Sequence, residues 1–332
     1  MDEHIGESVC LVTGAAGFIG STLSEAMLAM GHKVVGIDSF TDYYSRTLKE
    51  SNLAQLLDDP NFKFLETDLL EADLSRLLSG SSSETAGLRV DYIFHLAAQA
   101  GVRASWGRSF EIYTRNNILA TQRLLEAAME LRPKKFVYAS SSSIYGDAES
   151  FPTPESLTPR PISPYGVSKL AGEHLCFLYT RNYGVPTNAL RYFTVYGPRQ
   201  RPDMAFNRFI RAIEQEVEIE VYGDGEQTRD FTFVADAVQG TIAAALTDVS
   251  GEVFNLGGGS RVTVNEIIQT MEDVLGKRAR IKHASEQKGD VRHTSADTSK
   301  ARSILGYKPS VGLREGLSRE CEWLTASLAP AA

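Results

Sequence analysis

The sequence is poor in cysteine, in basic blocks and in long apolar runs. Its three cysteines, Cys10, Cys176 and Cys321, stand far apart, and no Cys-x-x-Cys pair occurs. They read as buried or incidental thiols of a reducing compartment, and no metal site is expected. No apolar run approaches the ~18 residues of a membrane span, and the opening Met1-Asp2-Glu3-His4 is acidic where a signal peptide would be basic. A soluble, cytoplasmic protein without a membrane partner is expected. No basic block offsets the formal charge of −8, which argues against a nucleic-acid surface. It leaves room for an anionic ligand, since a pocket needs only a few local cations. No internal repeat is visible. What remains is a chain of 332 residues, 42% hydrophobic and 23% charged. That is long enough for one large α/β domain and a smaller lobe.

Val9-Cys10-Leu11-Val12 is a short apolar run of the kind seen in buried parallel strands. It leads into Thr13-Gly14-Ala15-Ala16-Gly17-Phe18-Ile19-Gly20. Glycines at these places let the backbone turn tightly and approach a pyrophosphate at the start of the next helix. That helix is expected to run to Met30, with Leu23, Met27 and Met30 as its inner stripe. The next strand, Lys33 to Ile37, ends at Asp38, eighteen residues past Gly20. A carboxylate there takes both hydroxyls of an adenosine ribose and repels a 2′-phosphate, so NAD is favoured over NADP. Strand, glycine turn, helix, strand and acid, in that order, predict a Rossmann-type doubly wound parallel sheet.

Further strands repeat the theme. Phe62 to Leu65 leads to Asp68 and Leu69, a contact for an adenine edge, and Ser79 to Ala86 reads as a surface loop. Tyr92 to Leu96 is another buried strand, followed by Ala97-Ala98-Gln99-Ala100-Gly101, small residues that let backbone pass close to a cofactor. His95 reads as a packed strand residue. Phe110 to Leu131 reads as one long helix containing Asn116-Asn117. Asparagine is a poor helix interior residue, so at least one amide is expected to serve a structural or cofactor contact.

Lys135 to Ala139 then delivers four serines, Ser140, Ser141, Ser142 and Ser143, to a strand's C-terminal end, where open parallel sheets bind ligands. Ser163-Pro164-Tyr165-Gly166-Val167-Ser168-Lys169 follows. On a helix, Tyr165 and Lys169 share one face, a turn apart. An ammonium beside a phenol favours the phenolate, a usable base near neutrality, and a serine hydroxyl steadies the same substrate oxygen. Base, cation and hydroxyl suit proton removal from an alcohol while hydride leaves its carbon. Two common residues at this spacing arise by chance in many proteins. Their position after a dinucleotide fingerprint is what gives them weight.

Thr13-Gly14-x-x-Gly17-Phe18-Ile19-Gly20, His95-Leu96-Ala97-Ala98, Tyr165-x-x-x-Lys169 and Arg229-Asp230-Phe231 together resemble the extended short-chain dehydrogenase/reductases that act on nucleotide sugars. More narrowly, Gln99-Ala100-Gly101-Val102-Arg103 and Gly197-Pro198-Arg199-Gln200-Arg201-Pro202-Asp203-Met204-Ala205 look like UDP-glucuronate 4-epimerases. The resemblance implies NAD-dependent epimerisation at C4 of UDP-glucuronate by a homodimer. It places a Rossmann domain with Tyr165 and Lys169 over residues 1–195 and a smaller, mainly sugar-nucleotide lobe over 196–332, with the chain free to cross between them. Implied NAD contacts are the glycine turn (Gly14, Gly17, Phe18, Ile19, Gly20), Asp38, Asp68, Leu69, Leu96, Ala97, Ala98, Gln99, Arg103, Asn116, Ser140, Tyr165, Lys169, Tyr192 and Val195.

For the substrate, the resemblance implies Ser142 or Ser143 on the reacting sugar oxygen, with Arg201, Thr194 and Ser141 holding its carboxylate. Ala205 and Phe206 open a helix over Phe206 to Glu216 whose start faces the diphosphate. Tyr222, at the end of the strand Glu218 to Tyr222, meets the uracil. Arg229 meets the diphosphate and Asp290 the uridine ribose. Val264 to Leu275 and Leu313 to Leu324 are amphipathic helices that close the lobe. One departure matters. Relatives that decarboxylate or dehydrate carry an acid two residues before Tyr145-Gly146, and here that residue is Ser143. A serine does not perform acid/base work at neutral pH, which tilts the reading away from dehydratase and, less strongly, from decarboxylase. Galactose-type epimerases commonly carry asparagine where this chain has Thr194. A decarboxylase, a neutral-hexose epimerase and a non-catalytic NAD-binding protein are the competing readings.

Overall fold

The computed structural model describes residues 7–285 and 291–328. The chain begins with β1 (Val9–Thr13), α1 (Phe18–Ala29), β2 (Lys33–Asp38), α2 (Arg46–Leu57), β3 (Phe62–Glu66) and α3 (Leu74–Leu78). It continues through β4 (Tyr92–His95), α4 (Phe110–Tyr113), α5 (Ala120–Leu131), β5 (Lys135–Ser141), α6 (Pro164–Tyr183) and β6 (Thr187–Tyr192). These strands pair in parallel in the order β6-β5-β4-β1-β2-β3, so the strand order reverses between β1 and β4. Ligands in open α/β sheets bind at that reversal, outside the carboxyl ends of the strands. Helices cover both faces, and β5 and β6 are buried along their whole length. Double burial suits the apolar stretch of β5, Phe136 to Ala139, while the buried Asn188 and Arg191 of β6 are hydrogen-bonded.

The second half carries β7 (Val195–Tyr196), α7 (Ala205–Glu214), β8 (Glu218–Tyr222), β9 (Thr228–Asp230), β10 (Thr232–Phe233) and α8 (Val234–Leu246). Then come β11 (Glu252–Leu256), β12 (Arg261–Thr263), α9 (Val264–Leu275), β13 (Arg280–Ala284), α10 (Ser299–Leu305) and α11 (Leu313–Leu328). β7 with β10, β9 with β12 and β8 with β13 make three small two-stranded sheets. β11 instead returns to the large sheet and pairs in parallel with β6, as the seventh strand. The large sheet therefore extends one strand beyond β6, using a segment from late in the chain. β11 is hard to read because it carries Asn255, fully buried and bonded to the backbone of Thr153 and Asp297.

Two helices also differ from expectation. Met30 lies past the end of α1 and is 47% exposed, so the inner stripe stops at Met27. The stretch from Phe110 to Leu131 is broken by a π-helical segment, Thr114–Leu119, which contains both asparagines. The Asn117 amide accepts from Gln99 N–H (2.7 Å) and donates to Gln99 C=O (3.0 Å) and Ser168 Oγ (2.9 Å). It ties the exit of β4 to α6. Such π segments concentrate at functional sites. Asp230 does similar work in the other half, accepting from the N–H groups of Gly258, Gly259 and Ala296. Burial pushes its carboxyl up to about 6, against those three bonds.

Candidate active site

The carboxyl ends of β1, β2, β4 and β5 open on one pocket. At its floor is the glycine turn. Gly14 sits at φ +74, and a Cβ there would stand 2.9 Å from Ala97 N. The turn is pressed against the exit of β4, a cradle that a side chain would fill. α1 opens on Gly17 without a side-chain cap, so its first-turn N–H groups suit an anion. Asp38 lies beside the turn. Its Oδ2 accepts from Ala16 N–H (3.2 Å) and its Oδ1 from Phe40 N–H (2.9 Å). Burial raises its pKa, while the Phe40 bond and the Lys49 charge oppose that. These features fit a dinucleotide, with no 2′-phosphate beside the acid. Asp38→Ala is expected to weaken NAD about ten-fold or more and to narrow the gap to NADP, since losing a bond to a charged group costs ~1.5–3 kcal/mol. Titration calorimetry with both dinucleotides checks this; unchanged NAD affinity places the ribose elsewhere.

α6 brings the reacting groups to the pocket. Ser163 caps it, accepting from Gly166 N–H, and Pro164 occupies the first turn. Gly166 is needed because a Cβ there would meet Ser143 C=O at 2.6 Å. The helix thus starts hard against the serine turn. Tyr165 and Lys169 both line the pocket. Burial raises the Tyr165 phenol, and a hydrogen bond with Ser141 and the charge of Arg201 pull it back. Ser141 Oγ also accepts from Ser143 N–H (3.1 Å), which fixes its orientation. Burial lowers Lys169 to about 8. Its Nζ donates to Ala139 C=O (2.8 Å) and lies 5.2 Å from the centre of the Tyr138 ring. Lys169 thus holds the end of β5 while lining the pocket with Tyr165, and Arg201 adds a second cation whose charge opposes the effect of burial on the phenol.

Arg201 lies on the 197–204 segment, which is pinned from several sides. Gly197 N–H donates to Glu320 Oε2 (2.8 Å), Arg199 pairs with Glu25, and Gln200 Oε1 accepts from Asn207 N–H. Glu320 is fully buried, and its Oε1 has no hydrogen-bond partner among the described residues. Burial holds its carboxyl well above the usual range, opposed by the Gly197 bond. The Arg201 fork is not open. Nε and Nη2 donate to the two oxygens of Asp203 (2.9 and 3.0 Å), and Tyr43 OH donates to Asp203 Oδ2 (3.2 Å).

Residues 10–257 match the model of the NAD dependent epimerase/dehydratase family. The chain belongs to that family. It is 41% identical over 315 residues to a UDP-glucuronate 4-epimerase of Thermodesulfobacterium geofontis, covering 94% of this chain and 95% of that one. It is 45% identical over 318 residues to an uncharacterized UDP-glucose epimerase of Bacillus subtilis, covering 95% and 98%. The crystal structure of a Bacillus cereus UDP-glucuronic acid 4-epimerase in complex with UDP-glucuronic acid and NAD is similar at a TM-score of 0.91 and 45% identity, covering 96% of this chain and 99% of that one.

Within this epimerase-family chain, most residues singled out for NAD line the one pocket: Gly14, Gly17, Phe18, Ile19, Gly20, Asp38, Asp68, Leu69, Leu96, Ala97, Ala98, Gln99, Asn116, Ser140 and Tyr192. Two do not. The Arg103 guanidinium stacks 4.3 Å over the Tyr222 ring, and Val195 is buried in the β7–β10 pair. Ser142 and Ser143 form a 3₁₀ turn beside the pocket rather than in its wall. Phe206 is a core residue, packed on Phe231 with ring centres 4.7 Å apart. Arg229 donates to the carbonyls of Thr228 and Arg292, and Asp290 lies outside the described residues. Tyr43, Tyr44 and Lys49 line the pocket and were missed. The signal was there in Phe40 to Tyr44, an aromatic run just past Asp38. His95 is a packed residue as expected, bonded to Thr13 and Thr121, with burial lowering it to about 3.

Proposed function

We propose that the protein is an NAD-dependent UDP-glucuronate 4-epimerase, giving UDP-galacturonate through a transient 4-keto sugar. The observation that carries this reading is Arg201 lining the same pocket as Tyr165, close enough for each charge to act on the other. A fixed guanidinium beside the base suits a sugar bearing a carboxylate. The similarity to relatives named UDP-glucuronate 4-epimerases supports it. When bound, NAD supplies the acceptor for hydride from C4, returns it to the other face, and adds a nicotinamide positive charge near the base. Tyr165 takes the 4-hydroxyl proton and later gives it back, while Ser141 bonds the same oxygen. Lys169 keeps a cation behind the phenol. Ser142, Ser143 and Thr194 line the sugar, and Ser143 supplies no acid for elimination. Ala205 and Phe206 offer the uncapped start of α7 to the diphosphate, with Arg229 nearby and Tyr222 against the uracil.

Residues 1–195 supply NAD and base, and residues 196–332 mainly the sugar-nucleotide lobe. Its three buried free thiols suit the cytoplasm. The protein is a homodimer through its outer helices, where α6 packs beside α5 and leaves Val167, Phe177 and Leu178 45–54% exposed, with Leu119 at 47% at the end of the π-helical segment that leads into α5. Isolated apolar residues are ordinary on a surface, but a run along one helix pair is not. Leu178→Glu is expected to give a monomer by light scattering; an unchanged mass moves the interface elsewhere. The reading as a whole is tested by incubating purified protein with UDP-glucuronate and no added reductant. UDP-galacturonate resolved by NMR supports it, whereas carbon dioxide with UDP-xylose, or no product, overturns it.

A further inference from the structure

Beneath the reacting groups lies a buried ion pair that the mechanism does not use. Arg191, on β6, donates through Nε and Nη2 to the two oxygens of Glu173 on α6 (3.0 and 2.9 Å), and both side chains are only 6% exposed. Glu173 Oε1 also accepts from Ser140 Oγ (2.5 Å). The remaining Arg191 nitrogen, Nη1, donates to Tyr145 OH (2.8 Å) and Glu155 C=O (3.1 Å), and Tyr145 OH donates to Asn255 Oδ1 (2.7 Å). Glu173 stands four residues after Lys169 on the same helix, the spacing at which an acid and a lysine pair. They do not pair here. Lys169 grips Ala139 C=O, and Glu173 grips the next residue of β5, Ser140.

We propose that Arg191 is a positioning residue for the reaction: it holds the Glu173 carboxylate against β5 and away from the Lys169 ammonium one helical turn earlier. A lysine paired with a carboxylate loses much of its field as a cation and spends its donors on the acid. Arg191 takes up the acid on α6 next to the site and leaves Lys169 for the base and the cofactor. The other groups around Lys169 do not compensate. His95 is held neutral by burial, Cys176 is kept a thiol by burial, and the Tyr138 phenol is raised by burial. Among the described residues, Arg201 brings a further charge to Tyr165, from the pocket side.

The inference rests on Tyr165 and Lys169 acting as proposed above, and its test separates the two. Arg191→Met should release Glu173 to pair with Lys169. Two readouts follow: kcat for UDP-glucuronate falls about ten-fold, and the acidic limb of the kcat/KM profile moves up by roughly one pH unit. Independently of turnover, the pH dependence of Lys169 acylation, followed by mass spectrometry, should shift the same way. The double variant Arg191→Met/Glu173→Gln should return both readouts toward wild type, and Arg191→Lys should leave the limb in place. A purely structural role predicts the opposite, with the double variant no better than the single and the limb unmoved; either result overturns the proposal. If Arg191→Met does not fold, Glu173→Gln decides: its limb must lie at or below that of wild type, and a limb moved up overturns the idea. Failure of turnover in the wild type, with the Lys169 shift intact, would sink the epimerase reading and spare this one.

Discussion

Tyr165→Phe is expected to lower kcat by about 10²- to 10⁴-fold while leaving NAD and UDP-sugar binding nearly unchanged, the usual range for a general base. In the proposed mechanism the phenol oxygen does the chemistry, whereas the ring packs edge-on against Tyr113, with centres 6.2 Å apart. Phenylalanine keeps that contact. Binding is checked by calorimetry and turnover by NMR. A variant retaining more than about a tenth of wild-type turnover would falsify the assignment, since the barrier would have changed by less than ~1.4 kcal/mol.

Arg201→Ala is expected to change the product as well as the rate. Oxidising C4 of a glucuronate makes a β-keto acid, which loses carbon dioxide when the bond from the carboxylate to C5 lines up with the ketone. A 4-epimerase must hold that carboxylate in an unproductive orientation, and a fixed guanidinium does so. Without it, epimerisation would slow, and carbon dioxide and a UDP-4-keto-pentose would appear, the two electrons taken from C4 staying on the cofactor as NADH. A loss of ~1.4 kcal/mol in discrimination shifts the product ratio about ten-fold. Substrate labelled with ¹³C at C6 makes the released gas countable. Weaker binding with no decarboxylation would put the carboxylate clamp elsewhere and weaken the substrate assignment with it.

Most of the large sheet was legible because β1, β2, β4 and β5 are largely buried and each ends in a recognisable signal: the glycine turn, Asp38, the small residues after His95, the serine run. β11 was not, because a five-residue strand with a buried asparagine gives no periodicity. Tyr165 and Lys169 were legible from helical spacing. The rotamer that turns Lys169 toward Ala139 was not, since it depends on a carbonyl thirty residues away in sequence. Ser141 could not be told from its three neighbours until the 3₁₀ turn fixed which hydroxyl meets the phenol. Arg191 and Glu173 are eighteen residues apart on different elements, and nothing local in the sequence joins them.

The Arg201–Asp203 pair has a consequence for selectivity. A uronate arriving at this guanidinium meets a fork already filled, so binding is an exchange of one carboxylate for another. Its net free energy is the difference between two similar ion pairs, much smaller than either. A neutral hexose leaves Asp203 where it is and strands no charge. Rejection of neutral sugars is therefore gentle on the binding side, and preference for a uronate comes from how well the sugar's carboxylate competes with the protein's own.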